Sequence, residues 1–147
     1  MEPTEPSEVL AHTITRSPDR PIGGRRMLDK HFDLRDRTKR FALRILKLCA
    51  SLPKTEAARA ISRQLLRSGT SVAANYRATS RARSRAEFVA KMGVVVEEAD
   101  ESIFWLELLV ESGLIAEARL NDLVAEANEL VSIFVASQKT ARGKRTR

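Results

Sequence analysis

The stretch "RAISRQLLRSGTSVAANYRATSRARS", residues 59–84, carries six arginines, an apolar ladder and a polar small-residue centre, Ser68-Gly69-Thr70-Ser71. On a helical wheel Ile61, Leu65, Gly69, Val72 and Tyr76 fall within one arc, the pattern of an amphipathic helix laid on a core. Arg59, Arg63 and Arg67 follow at i, i+4 and i+8. Because 18 residues make about five full turns, Arg77 and Arg81 return to the azimuths of Arg59 and Arg63. If the helix is continuous, these arginines form one stripe bordering the apolar face, with Thr70 and Ala74 along it. The Ser68-Gly69 centre reads as a close helix-packing point. A Gly-x-x-x-x-Gly-Lys-Ser/Thr phosphate loop is absent, and a glycine inside a helix costs only about 1 kcal/mol.

Three more helices surround this one. The first is expected over about Asp33–Ser51, with Phe41, Ile45, Leu48 and Leu52 on one stripe and Ala42, Leu46 and Cys49 beside it. Pro53 stops it, and Thr55 is placed to cap the second helix, which runs to about Ser80. Ser84-Arg85-Ala86-Glu87 is a capping box that opens the third, with Phe88, Met92, Val95, Ala99, Leu106 and Val110 facing inward and Gly113 at its end. The fourth is expected over about Ala116–Thr140, with Leu120, Val124, Ala127, Val131 and Phe134 inward. Links of a few residues make consecutive helices antiparallel, so the expected fold is all-α, an up-down-up-down four-helix bundle. No strand-like alternation competes with it.

The expected organisation is an extension over residues 1–30, the bundle over 31–140 and a basic tail over 141–147. Four of the five prolines and the Gly23-Gly24 pair lie within residues 1–25, which show no sustained period and read as disordered. Met27 stands just before the first periodic segment, so residues 1–26 are a candidate upstream addition to the native start. The most apolar segment is broken by Glu107 and Glu111, and neither a membrane span nor a signal peptide is legible. A single cysteine, Cys49, cannot form an intrachain disulfide and suits a reducing cytoplasm.

The net charge of +7 is unevenly placed. Residues 33–53 carry six bases against two acids, and 54–84 carry seven against one. Residues 85–115 reverse to two bases against seven acids, and 116–136 to one against four. Such a basic half makes an anionic partner the natural expectation. The third helix also carries a second seam, Glu97, Glu101, Phe104, Leu108 and Glu111 at 4-3-4-3 spacing, with Trp105 beside it. A bundle helix needs one buried face, so this acidic-aromatic seam reads as an oligomer interface, against the alternative that Phe104 and Trp105 belong to the core.

Catalytic chemistry has little to work with. His12 and His31 both precede the bundle, so no inward Glu-x-x-His pair exists, and Cys49 has no histidine near it in the bundle to activate it. Glu97, Glu98, Asp100 and Glu101 read as a polar face, with Asp122, Glu126 and Glu129 of the fourth helix the remaining candidates to join them around a metal. No cofactor, no metal and no enzymatic activity are expected.

The segments "FDLRDRTKRFALRI", "LPKTEAARAISRQLLRSGTSVAANYRA" and "SRAEFVAKMGVVVEEADESIFWLELLVESG", taken in order, resemble the bacterial four-helix bundle proteins related to those encoded in intervening sequences of large-subunit ribosomal RNA genes. Arg67, Gly69, Ser71, Ala74 and Asn75 stand at the positions of the family's Arg-x-Ala-x-Ser-x-x-Ala-Asn pattern, with glycine in place of the usual alanine. Ala78-Thr79-Ser80 stands where a glycine commonly follows. Ser84, Glu87, Phe88, Glu98, Glu101, Trp105 and Leu106 fit the third helix. The resemblance implies a bundle that assembles into a pentameric ring. It also implies kinship with the accessory protein of diversity-generating retroelements, a basic protein that binds a reverse transcriptase and nucleic acid.

Two functions follow as expectations. The first is a homo-oligomeric bundle that binds RNA or DNA without reading sequence, through Arg59, Arg63, Arg67, Arg77, Arg81 and the tail residues Lys144 and Arg145. The alternative is a structural adaptor that docks a protein partner such as a reverse transcriptase, its arginines used at subunit contacts. In both, Glu97, Glu101, Phe104, Trp105 and Leu108 form the oligomer interface.

Overall fold

The computed structural model describes the backbone of residues 22–143 and the side chains from Asp33 to Gly143. Among the described residues four helices make up the fold: α1 (Ile22–Ser51), α2 (Glu56–Thr79), α3 (Arg85–Glu111) and α4 (Glu117–Gly143). Each packs along the next, α1 on α2, α2 on α3 and α3 on α4, and the turn closes with a thin contact between α1 and α4. The result is the up-down-up-down bundle.

The helix ends follow from local chemistry. Thr55 accepts the Ala58 N–H at 3.3 Å and Ser84 accepts the Glu87 N–H at 3.1 Å. The Glu87 carboxylate returns to accept the Arg83 N–H at 2.8 Å, completing a reciprocal cap at the start of α3. Gly113 closes α3 at φ +76°, a conformation that favours a residue without Cβ.

One boundary differs from expectation, the start of α1, while α2 ends where expected. α1 starts at Ile22 rather than near Asp33, so helical backbone enters the segment 22–30 that was expected to be disordered. Pro21 is the last proline before it, and beyond Gly24 no breaker interrupts elongation outward from the packed turns. α2 ends at Thr79, which leaves Arg81 in the following turn, its N–H donating to the Ala78 carbonyl at 3.1 Å. Residues 1–21 and the tail from Lys144 lie outside the described residues.

The core is built around Phe41, Ile45, Leu65, Met92, Leu106, Leu109, Leu120, Leu130 and Phe134, all fully buried. Each such side chain contributes about 1.5–3 kcal/mol of transfer free energy. α4 is rotated from its expected face. Leu123 and Leu130 are buried, while Val124 and Val131 are only half-buried. On α3, Ile103 and Leu109 take core places while Phe88 and Val110 sit at its edge. Leu46, placed beside the α1 core stripe by its spacing, is 46% exposed.

Gly69 is a contact point. A Cβ built there would lie 2.9 Å from Ile45 Cγ1, so α1 and α2 meet as closely as they do only because no side chain intervenes. On the other side of α2, the buried hydroxyls of Ser68 and Ser102 lie 3.0 Å apart and join α2 to α3. Ser68 also reaches its own helix at the Leu65 carbonyl and Ser102 at the Glu98 carbonyl. Among the described residues no buried side-chain polar atom lacks a partner.

Candidate nucleic-acid interface and assembly surfaces

The arginines of α2 do not act as one stripe. Successive i+4 steps advance about 40° around a helix, so Arg59, Arg63 and Arg67 drift from the α1 side of α2 toward the α3 side. Arg59 and Arg63 line a cleft of about 550 Å³ together with Lys54 and Cys49 of the α1–α2 corner. Arg77 lines a second cleft of about 500 Å³ in the same groove, with Arg35, Asp36 and Lys39 of α1 and a floor of Thr70, Ala73 and Ala74. Arg59, Arg63 and Arg77 are exposed, and none is ion-paired with a carboxylate among the described residues.

Arg67 has turned the other way. Its guanidinium lies 3.2 Å from Glu98 and also bonds the Glu101 carboxylate, both on α3 of the same chain. The hydrogen bond to Glu101 and the nearby charge of Glu98 hold Arg67 charged above its ordinary range. Glu101 also accepts the Trp105 indole N–H at 3.1 Å. Arg67 first, then Trp105, keep the Glu101 carboxyl below the ordinary glutamate range. Arg81 is exposed beyond the helix end, and Lys144 and Arg145 lie outside the described residues.

The acidic-aromatic seam is brought together on the outer side of α3. Phe104 is 52% exposed and its ring meets the Trp105 ring edge-on, centroids 4.8 Å apart. Trp105 and Leu108 are half-buried against the core, and Glu97 is exposed. Trp105 thus serves both the core and the surface, whereas Phe104 is a surface residue in the isolated chain.

Charge segregates with the fold. α2 carries four arginines against Glu56 alone, and α3 carries seven acids against Arg85 and Lys91. Two features escaped the reading of the sequence. One is the clamp of Arg37 on Glu126 and Glu129, which no spacing could reveal because its partners are 89 residues or more apart. The other is an exposed apolar pair on α1, Leu43 and Leu46, whose only signal was their departure from the core arc.

The chemistry available for catalysis is meagre among the described residues. Burial pushes the Cys49 thiol up, and its Sγ donates to the Ser62 carbonyl at 3.8 Å. No cluster of three His, Cys, Asp or Glu side chains could hold a metal ion among the described residues. Among the described residues no helix is long and apolar enough to cross a membrane.

Comparison with known proteins places the fold. A comparison with curated proteins gives no match. Among solved structures, the chain is similar to a protein of unknown function from the S23 ribosomal protein family of Bacteroides thetaiotaomicron VPI-5482, crystallised and solved at 1.70 Å. The two share 33% identity with a TM-score of 0.70, over 75% of this chain and 98% of that one. The family model for the 23S rRNA-intervening sequence protein matches residues 30–136, which takes in most of α1, all of α2 and α3, and most of α4. The chain belongs to the 23S rRNA-intervening sequence protein family.

Proposed function

We propose that this chain is a non-enzymatic, self-assembling bundle that binds RNA or DNA through phosphates without reading base sequence. The observation that carries this reading is the α1–α2 groove. Arg59, Arg63 and Arg77 face solvent there with no carboxylate paired to them among the described residues, and Arg35 and Lys54 stand beside them. Neither cleft has an aromatic lining on which a base could stack, so the groove suits a backbone rather than a base edge. Arg67, bound to Glu98 and Glu101 on the α3 side, is left out of this groove.

Gel-shift titration of the protein with unrelated RNA and DNA sequences tests the reading. Binding is expected for all of them, falling steeply as salt rises. Arg59→Glu with Arg63→Glu weakens every sequence alike and reduces the salt slope by about one per phosphate contact removed. Absence of binding at low salt sinks the proposal.

Self-assembly is supported by the exposed Phe104 in its acidic surround and by the resemblance to ring-forming bundles. The same exposed ring favours a second reading, an adaptor that docks a protein partner. Retention of full assembly together with loss of all nucleic-acid binding would select it.

A further inference from the structure

The α1–α2 groove has two basic ends. Toward the start of α1, Arg35, Lys39 and Arg77 line one cleft, and Asp36, the acid beside them, pairs with Arg40. At the other end Lys54, Arg59 and Arg63 line the second cleft, which has no acid in its lining. None of these six cations is ion-paired among the described residues. Thr70, Ala73 and Ala74 floor the first cleft, side chains short enough for a backbone to lie close. Along α2, the 14 residues from Arg63 to Arg77 rise about 21 Å.

The same chain carries a segment of opposite charge at a matching spacing. Residues 1–15 hold Glu2, Glu5 and Glu8 and no lysine or arginine, in a chain of net charge +7. The glutamates recur every third residue with Pro3 and Pro6 between them, the period of an extended polyproline strand, which puts them on one edge. At about 3.1 Å per residue, such a strand sets Glu2 and Glu8 about 19 Å apart, close to the spacing of the two basic ends. The segment also enters at the right place. α1 begins at Ile22 and Arg35 lies about 20 Å along it, while the 14 residues from Glu8 to Ile22 span up to about 43 Å when extended. Ser17-Pro18-Asp19 supplies turn residues for the reversal. We infer that residues 1–15 dock in the α1–α2 groove of their own chain, Glu8 at Lys39 and Arg77 and Glu2 toward Lys54 and Arg63, and compete there with nucleic acid. This rests on the proposed function and adds the regulation of the same groove. Three exposed ion pairs on a tether hold the segment loosely, so a polyanion carrying more charges displaces it.

Carbodiimide coupling of the purified full chain, without nucleic acid, reads the docking. The reagent condenses a carboxylate with a lysine amine in direct contact, forming an amide while the carbodiimide takes up the water as a urea. Peptide mass spectrometry is expected to find links from Glu2, Glu5 or Glu8 to Lys39 or Lys54, in product that keeps the 16.4 kDa of one chain under denaturing conditions. These links should fade when coupling is done at high salt. Gel-shift titration reads the competition. Glu2→Gln with Glu5→Gln and Glu8→Gln should bind RNA and DNA roughly three- to tenfold more tightly than the wild type at low salt. Glu107→Gln with Glu117→Gln and Asp122→Asn removes as much negative charge from exposed positions on α3 and α4, away from the groove, and should tighten binding less. Absence of the links, links found only in covalent dimers, or equal affinities of the two triple variants overturns the inference. If no variant binds nucleic acid the proposed function fails, and the presence or absence of the links still decides the docking.

Discussion

Arg37 of α1 forks onto Glu126 of α4, with Nε 3.1 Å from Oε1 and Nη2 3.0 Å from Oε2, and Nη2 lies 3.1 Å from Glu129 as well. This clamp closes the side of the bundle where the helices touch least. Arg37 and Glu126 are each about one-fifth exposed, so their pairing is screened less than an open surface bridge. Arg37→Ala should cost about 1–2 kcal/mol, read as a lower urea midpoint at unchanged slope. Arg37→Lys should recover only part of it, because an ammonium cannot form the fork.

Glu101 sets an acid dependence. Its carboxyl ionises below the ordinary range in the folded chain, held there by Arg67 and then by the Trp105 indole. Its contribution to stability is therefore present above the ordinary glutamate range and is lost as pH falls through the lowered folded value. Urea midpoints taken from neutral pH down to about pH 3 should fall more steeply for the wild type than for Glu101→Gln. Equal slopes would show that the Arg67–Glu101 pair contributes nothing to folding.

Gly69→Ala should destabilise the bundle although it improves helix propensity. The gain is about 1 kcal/mol, while the added Cβ meets Ile45 Cγ1 at 2.9 Å and Cγ2 at 3.0 Å, atoms next to the backbone that cannot swing away. Overpacking of this kind costs about 1–3 kcal/mol. In an Ile45→Ala background the obstacle is gone, and the same substitution should become neutral or favourable. A double-mutant cycle by denaturant unfolding measures the coupling.

Tyr76 is the chain's single tyrosine, so phenolate absorbance reports it alone. Burial pushes its phenol up to about 12 in the folded chain, where the ring stacks on Phe134 with centroids 5.7 Å apart. Titration of the native protein should show half-ionisation near that value, falling to the ordinary value near 10 in concentrated urea. The raised value makes the contribution of Tyr76 complete below the ordinary range and lost as pH rises through about 12. Tyr76→Phe should remove that alkaline loss.

Ser84→Ala should cost about 1 kcal/mol, because Ser84 accepts the Glu87 N–H while Glu87 accepts that of Arg83. Thermal melts with circular dichroism check it, and Ser84→Asp should retain most of the stability.

Much of the fold was legible because its signals are local. Thr55, Ser84 and Gly113 mark helix ends through bonds to residues a few positions away. The α2 arc of Ile61, Leu65, Gly69, Val72 and Tyr76 is buried as its spacing implies. α3 and α4 were harder, because each offers apolar residues on more than one side. Leu123 and Leu130 displaced Val124 and Val131 once α3 fixed the rotation of α4. The α3 seam was legible in part, with Phe104 exposed and Trp105 shared between surface and core.

By itself the sequence determined the number and order of the helices, their caps and the segregation of charge along the chain. All of these rest on periods and hydrogen bonds that span a turn or two. Only the tertiary structure decided where each charge is used. Four arginines share α2, yet Arg67 is drawn to Glu98 and Glu101 while Arg59, Arg63 and Arg77 are left beside α1. Arg37 finds Glu126, and Leu43 and Leu46 are left outside. The physical reason is that a helix's rotation about its axis is settled by the volumes of its neighbours, and a few tens of degrees change which partner a long side chain can reach.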